Sequence, residues 1–149
     1  MPHSRRLHGY SLPELLIVVV VLSALLMIAL PAVARARDVF SIRAARETIL
    51  AAATRTRSLA LNHGGAHLQI DAPSGALSLS TGDSTIVADW SLRDLHGVTL
   101  TIEHSPRNTA VITYDRLGVG RLANLTLRIS RGSAAGGVTF SAYGRPRAW

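Results

Sequence analysis

No cysteine occurs anywhere in the 149 residues, which rules out disulfides and thiolate metal sites and leaves stability to packing alone. An oxidising compartment is neither implied nor excluded by this. Lysine is absent as well: all 16 basic residues are arginine, a usage that genome composition alone can produce. The six histidines, at positions 3, 8, 63, 67, 96 and 104, have no metal-ligand spacing, and the nearest pair in the domain, His63 and His67, straddles Gly64 and Gly65. No Ser, His and acid grouping marks a nucleophile, so the sequence does not read as an enzyme and no cofactor is expected. Acids are missing from one region altogether. Arg116 to Trp149 holds six arginines and no acid, whereas Asp38 to Asp115 holds six arginines and eight acids, a net of −2. The carboxyl-terminal quarter is therefore the electropositive part, which suits a polyanionic partner.

What is present begins with a basic leader, residues 1–9, followed by an apolar run. From Leu15 to Ala34 there are 20 residues without a charge, and Ser23 is the only polar side chain. At about 1.5 Å of helical rise per residue this run is roughly 30 Å long, enough for one bilayer crossing. One acid, Glu14, stands at its entrance. A lone carboxylate there costs about 2.5 kcal/mol or more unless a cation pairs with it. An α-amino group freed by cleavage between Gly9 and Tyr10 would lie about one helical turn before Glu14, close enough to pair in the same or a neighbouring helix. Ala32-Val33-Ala34 also reads as a small-x-small cleavage site, so an ordinary secretory signal peptide and a plain membrane anchor are alternatives.

The arrangement Gly9, Tyr10, Ser11, Leu12, Pro13, Glu14, Leu15, Leu16, then the apolar run and Pro31, resembles the amino-terminal segment of type IV pilins and type II secretion pseudopilins. The resemblance implies that a prepilin peptidase cuts after Gly9, that Tyr10 becomes the N-methylated amino terminus, and that Glu14 aids docking into a growing filament. Tyr10 stands where phenylalanine is usual and Pro13 where an aliphatic residue is commoner. Proline is tolerated in a helix's first turn, where its missing N–H lacks a partner anyway. Pro31 lies deeper and is expected to kink or locally open the helix.

Beyond Pro31 the helical pattern continues to about Leu61, with Val39, Ile42, Ile49, Ala53, Thr56 and Ala60 on one face and Asn62-His63-Gly64-Gly65 as its stop. Arg35, Arg43, Arg46 and Arg57 fall largely off that face. The organisation expected is a leader at 1–9, a transmembrane or filament-core helix half at 10–34, and a globular domain at 35–149 made of helix 35–62 and a β region at 66–149. There the pattern has period two, with turn residues between short runs, so the fold class is α+β with antiparallel sheet. Strands are predicted at 67–71, 76–80, 85–90, 98–103, 110–114, 125–130 and 138–143. Alternation turns Val98, Leu100 and Ile102 inward, and turns Arg128 to solvent, opposite Leu125, Leu127 and Ile129. The segment 131–137, rich in glycine and small residues, reads as a mobile loop. Gly118-Val119-Gly120-Arg121-Leu122-Ala123 formally fits a dinucleotide-binding glycine pattern, but another alternating run follows it where a helix would be needed, so it reads as a loop.

Ile112-Thr113-Tyr114-Asp115 with Gly118, an alternating strand, and Gly144-Arg145-Pro146-Arg147 at the end together resemble the FimT/GspH branch of the pilin superfamily, and FimT more than GspH. That resemblance implies a pilin-like fold in which the long helix packs on antiparallel sheet. It further implies a minor pilin of the inner membrane and pilus filament whose terminal Gly-Arg-x-Arg motif binds DNA during natural transformation. Gly144, Arg145 and Arg147 match the motif, and the partners implied are DNA, other pilin subunits and the peptidase. The residues carry a physical case of their own. Glycine allows a turn, proline fixes φ near −65°, and two guanidinium groups on a stiffened backbone can each grip a phosphate. Arg116, Arg121, Arg128 and Arg131 are accessory candidates, and Tyr143 and Trp149 are candidates for stacking on bases. The alternatives are a solvated basic tail, or a GspH-like pseudopilin that binds no nucleic acid.

Overall fold

The apolar run and the alanine-rich segment after it carry no interior glycine and only one interior proline, and they form one helix, α1, over Leu12–His63. The computed structural model describes residues 11–121 and 124–149. Gly9 and Tyr10, the expected cleavage site, lie outside the described residues, as do Leu122 and Ala123. The chain divides into two compact units, Met1–Ala34 and Arg35–Trp149.

In the first unit Glu14 occupies the opening turn of α1, where a carboxylate faces the positive end of the helix dipole. The large apolar side chains from Leu15 to Val33 are 51–78% exposed, far more contiguous apolar surface than a water-facing helix carries. Length and composition suffice for a membrane crossing. Ser23 Oγ donates to the Val19 carbonyl at 2.8 Å, so the only hydroxyl in the run is satisfied within the helix. Helical residues continue without a break across Pro31, so the helix does not open there: one lost N–H donor leaves its other backbone bonds in place.

In the second unit α1 buries Ile42, Ala45, Ile49, Ala52, Ala53, Thr56 and Ala60, a stripe at helical spacing whose alanines let backbones approach closely. Val39, expected on this face, is exposed. Thr56 Oγ1 donates to the Ala52 carbonyl at 2.7 Å, which makes a buried hydroxyl tolerable.

Two antiparallel sheets complete the core. The first contains β1 (Gly65–Asp71), β2 (Ala76–Thr81), β3 (Ile86–Ser91), β5 (Thr109–Asp115) and β6 (Gly120–Arg121) in the order β3-β2-β1-β5-β6. The second contains β4 (Thr99–Glu103), β7 (Leu125–Arg131), β8 (Ala134–Phe140) and β9 (Pro146–Ala148) in the order β4-β7-β8-β9. Registers follow the hydrophobic alternation: Leu68 faces Leu79 and Ile112, Ile102 faces Leu127, and Leu127 faces Val138. One apolar cluster joins Leu68, Ile102, Ile112, Leu127 and Val138 to Ile42, Ile49, Tyr114 and Phe140.

Three sequence expectations need correction. A short helix, α2 (Leu92–His96), follows β3, capped by Ser91, whose hydroxyl accepts from the Asp94 N–H, and closed by Gly97 at φ 63°. Segment 131–137 is no mobile loop, because Ala134–Gly137 pair with Arg131–Arg128 in β8. Glycine is required there by close approach: a Cβ on Gly137 would lie 2.4 Å from Trp149 Cζ2, and one on Gly136 would lie 3.0 Å from Ile42 Cγ2. Finally, β8 ends at Phe140, and the chain turns back at Ser141–Gly144 to add β9, so the basic terminus is a strand paired to β8.

Candidate nucleic-acid interface

The terminal arginines are placed by contacts that start in the core. Tyr114, buried in β5, sends its hydroxyl out to donate to the Gly144 carbonyl at 2.7 Å. Gly144 takes φ 72°, a left-handed conformation that suits glycine. It lies directly against Gly120, where a Cβ would come within 2.5 Å of Gly144 Cα, and the Gly120 N–H donates to the Tyr143 carbonyl at 3.0 Å. The two glycines form the crossing point of β6 and the terminal turn. Further along, Gly137 and Trp149 exchange backbone hydrogen bonds at 3.0 and 3.1 Å, and Trp149 Nε1–H donates to Thr139 Oγ1 at 3.2 Å.

Between these anchors Arg145 and Arg147 are exposed, and among the described residues neither makes an ion pair. Pro146 separates them at the start of β9, and Arg147 stands opposite Thr139. The two guanidinium groups therefore sit on a backbone fixed at both ends, an arrangement suited to anion contact.

The accessory arginines fall into different situations. Arg116 is exposed on the turn after β5 and makes no ion pair among the described residues. Arg121 is exposed on β6, with Asp115 at 3.9 Å. Asp115 itself holds the turn: its Oδ1 accepts from the Val119 N–H at 3.0 Å and the Leu117 N–H at 2.9 Å. Those bonds, the Val119 one foremost, together with Arg121 and Arg116, hold its carboxyl below the usual carboxylate range against the opposing effect of burial. Arg128 does face outward but meets Glu103 at 3.4 Å across the β4–β7 pair. Arg131 is half-buried and structurally committed. Its Nε lies 3.2 Å from Asp38 Oδ1, and its Nη1 donates to Ser41 Oγ at 2.7 Å and to the His96 carbonyl. It ties α1, α2 and β7 together and has little left to offer a phosphate. Trp149 packs part of its indole on Gly137 and is 51% exposed, so Tyr143, at 72%, is the freer aromatic ring beside the arginines.

One residue that sequence reasoning did not single out joins this group. Arg57, on α1, lies across Gly118 and shares a cleft with Tyr114, Tyr143 and Arg145. Burial pushes the Tyr114 phenol up to about 12, with Arg57 opposing the shift. Nothing in the α1 pattern marked Arg57, because only the fold brings it beside the terminus.

A long amino-terminal helix followed by antiparallel sheets that close on its alanine face is the pilin-like fold. Comparison with solved structures agrees. The type IV minor pilin FimU of Pseudomonas aeruginosa superposes with a TM-score of 0.55 at 16% identity, over 72% of this chain and 87% of that one. The minor pseudopilin EpsH from the type 2 secretion system of Vibrio cholerae superposes with a TM-score of 0.55 at 15% identity, over 73% and 96%. No protein-family model and no curated protein matches the sequence.

Proposed function

We propose that this chain is a minor pilin that enters the inner membrane as a precursor, is cut after Gly9 and methylated on Tyr10, assembles into a type IV pilus, and holds DNA through Arg145 and Arg147. The observation that carries the DNA reading is the terminal hairpin: two exposed arginines, without an ion pair among the described residues, on a backbone pinned by Tyr114, Gly120 and Gly137, in a quarter of the chain that contains no acidic side chain. The assembly reading is supported by the exposed apolar stretch of α1 with Glu14 at its entrance, which demands a membrane or neighbouring apolar helices. Arg116 and Arg121 are accessory contacts to the same polyanion. Arg128 is a weaker one because it must leave Glu103, and Arg131 is not counted.

Phosphate contacts release counterions and carry no sequence information. The experiment is a salt-titrated DNA-binding assay on the full chain in neutral detergent. Replacing Arg145 and Arg147 together by Gln should weaken duplex binding for unrelated sequences alike and reduce the slope of log affinity against log salt by about two units. An unchanged slope in a folded double variant removes the pair from the interface. A second reading, a GspH-like pseudopilin with a structural place in a secretion filament, is favoured by the EpsH superposition, as good as that of FimU. Absence of DNA binding by the unmutated chain at low salt selects it.

A further inference from the structure

The cleft between α1, the turn after β5 and the terminal hairpin is about 360 Å³, the size of small-molecule sites. Its walls carry two guanidinium groups, Arg57 from the helix and Arg145 from the terminus, and among the described residues no carboxylate lines it. Asp115, the nearest acid in the turn, is occupied by the Val119 and Leu117 N–H groups. The Tyr114 hydroxyl, also in the lining, is held neutral by burial far above physiological pH and donates a hydrogen bond to the Gly144 carbonyl, so it adds no negative charge. Tyr143 also lines the cleft, 72% exposed, and its backbone is held by the Gly120 N–H, which donates to the Tyr143 carbonyl at 3.0 Å, and by the Gly144 N–H, which donates to the Ser141 carbonyl at 2.8 Å. Two cations from different elements lining one cleft, with an exposed aromatic ring beside them, match one chemical unit: a phosphate attached to a planar base.

We propose that this cleft is a subsite for one nucleotide of single-stranded DNA, its phosphate held between Arg57 and Arg145 and its base laid on Tyr143. The inference rests on the DNA-binding reading above and deepens it, for it adds Arg57 to the interface, places the base on Tyr143 and sets a preference. Arginines alone grip the phosphates of either form of DNA, but a base reaches Tyr143 only when it is unstacked from its neighbours, so the subsite favours single strands. Arg147, outside the cleft, serves both forms.

The test compares an oligothymidylate with a duplex of matched length, both titrated with salt against the full chain in neutral detergent. Tyr143→Ala should weaken oligothymidylate binding roughly tenfold, the lower part of the range for base–aromatic stacking, and leave duplex affinity within about twofold. Arg57→Gln should lower the single-strand salt slope by about 0.7. If Arg147→Gln weakens binding while Arg57→Gln and Tyr143→Ala leave the oligothymidylate unaffected, the subsite is refuted and the DNA reading stands. If the unmutated chain binds neither DNA, both fall. Because Arg57 packs on Gly118 and its variant is open to misfolding, the unmutated chain is also photocrosslinked to an oligonucleotide carrying 5-iododeoxyuridine. Crosslinks at Tyr143 support the subsite, and crosslinked peptides that never include Tyr143 overturn it.

Discussion

Replacing Gly120 by Ala places a methyl where the terminal turn crosses β6. The new Cβ would lie 2.5 Å from Gly144 Cα, 2.8 Å from Gly144 N and 2.9 Å from the Tyr143 carbonyl carbon, all of them backbone atoms that no rotamer change can move away. Ordinary contact begins near 3.4 Å, so the two segments must separate by about 0.9 Å. That opening stretches the 3.0 Å bond from the Gly120 N–H to the Tyr143 carbonyl beyond hydrogen-bond range and loosens the 2.7 Å bond from Tyr114 to Gly144. One to two hydrogen bonds at about 1 kcal/mol each, with overpacking strain of about 1–3 kcal/mol, give a destabilisation of roughly 2–5 kcal/mol. The φ of Gly120 is not left-handed, so the cost is steric alone. Gly64→Ala supplies the contrast: nothing lies within 4 Å of its Cβ, and only its φ of 78° is strained, for about 1–2 kcal/mol. Thermal melting of both variants, followed by near-ultraviolet circular dichroism of Trp90 and Trp149, reads the difference, and DNA affinity should fall in Gly120→Ala because Arg145 is displaced. A Gly120→Ala variant that melts with the unmutated chain and binds DNA as well would show that the glycine crossing does not hold the terminus.

Arg131→Ala leaves Asp38 half-buried without its cation and should cost about 1–3 kcal/mol; a double-mutant cycle with Asp38→Asn should return a coupling of about 1 kcal/mol, and additive melting shifts would deny the link. Tyr114→Phe loses the hydrogen bond to Gly144, worth about 1 kcal/mol. Because the folded phenol is raised to about 12 from 10.0, the stability that Tyr114 lends is complete below pH 10 and is lost as the pH climbs towards 12, a decline that the Phe variant should lack in alkaline melting curves. Glu14→Ala should insert into membranes as well as the unmutated chain or better, since a carboxylate has been removed from the entrance, yet appear at reduced abundance in sheared filaments; normal abundance there refutes the assembly role of Glu14.

How much of this was legible beforehand depends on how local the governing physics is. Period two set β1 to β5 and β7 to within a few residues but missed β6 and β9 and the first half of β8, while the inward positions of Val98, Leu100, Ile102, Leu127 and Ile129 follow from alternation alone. Segment 131–137 misled because its glycines look like loop residues, whereas Gly136 and Gly137 are small to make room for Ile42 and for the Trp149 indole. That reason lies in tertiary contact and leaves no trace in the segment's own composition. Helix α2 was readable, for Ser91 three residues before Asp94 and Gly97 beyond are cap signals, but five residues give no period to find. Gly118-Val119-Gly120-Arg121 reads as a loop, whereas Gly120 and Arg121 form β6 against β5, and what Gly120 does there, meeting Gly144, required the fold. For the proposed interface, residue types singled out Arg145 and Arg147. They could not separate Arg128, exposed though paired, from Arg131, which a bend of the chain commits to Asp38, and they could not bring Arg57 from the helix to the terminus.

The most direct test of the central reading is the intact mass of this chain recovered from sheared surface filaments of the cells that produce it. The account predicts a chain that begins at N-methylated Tyr10 and retains the whole apolar stretch of α1. A secreted chain that begins at Arg35, absent from the filament fraction, would contradict it.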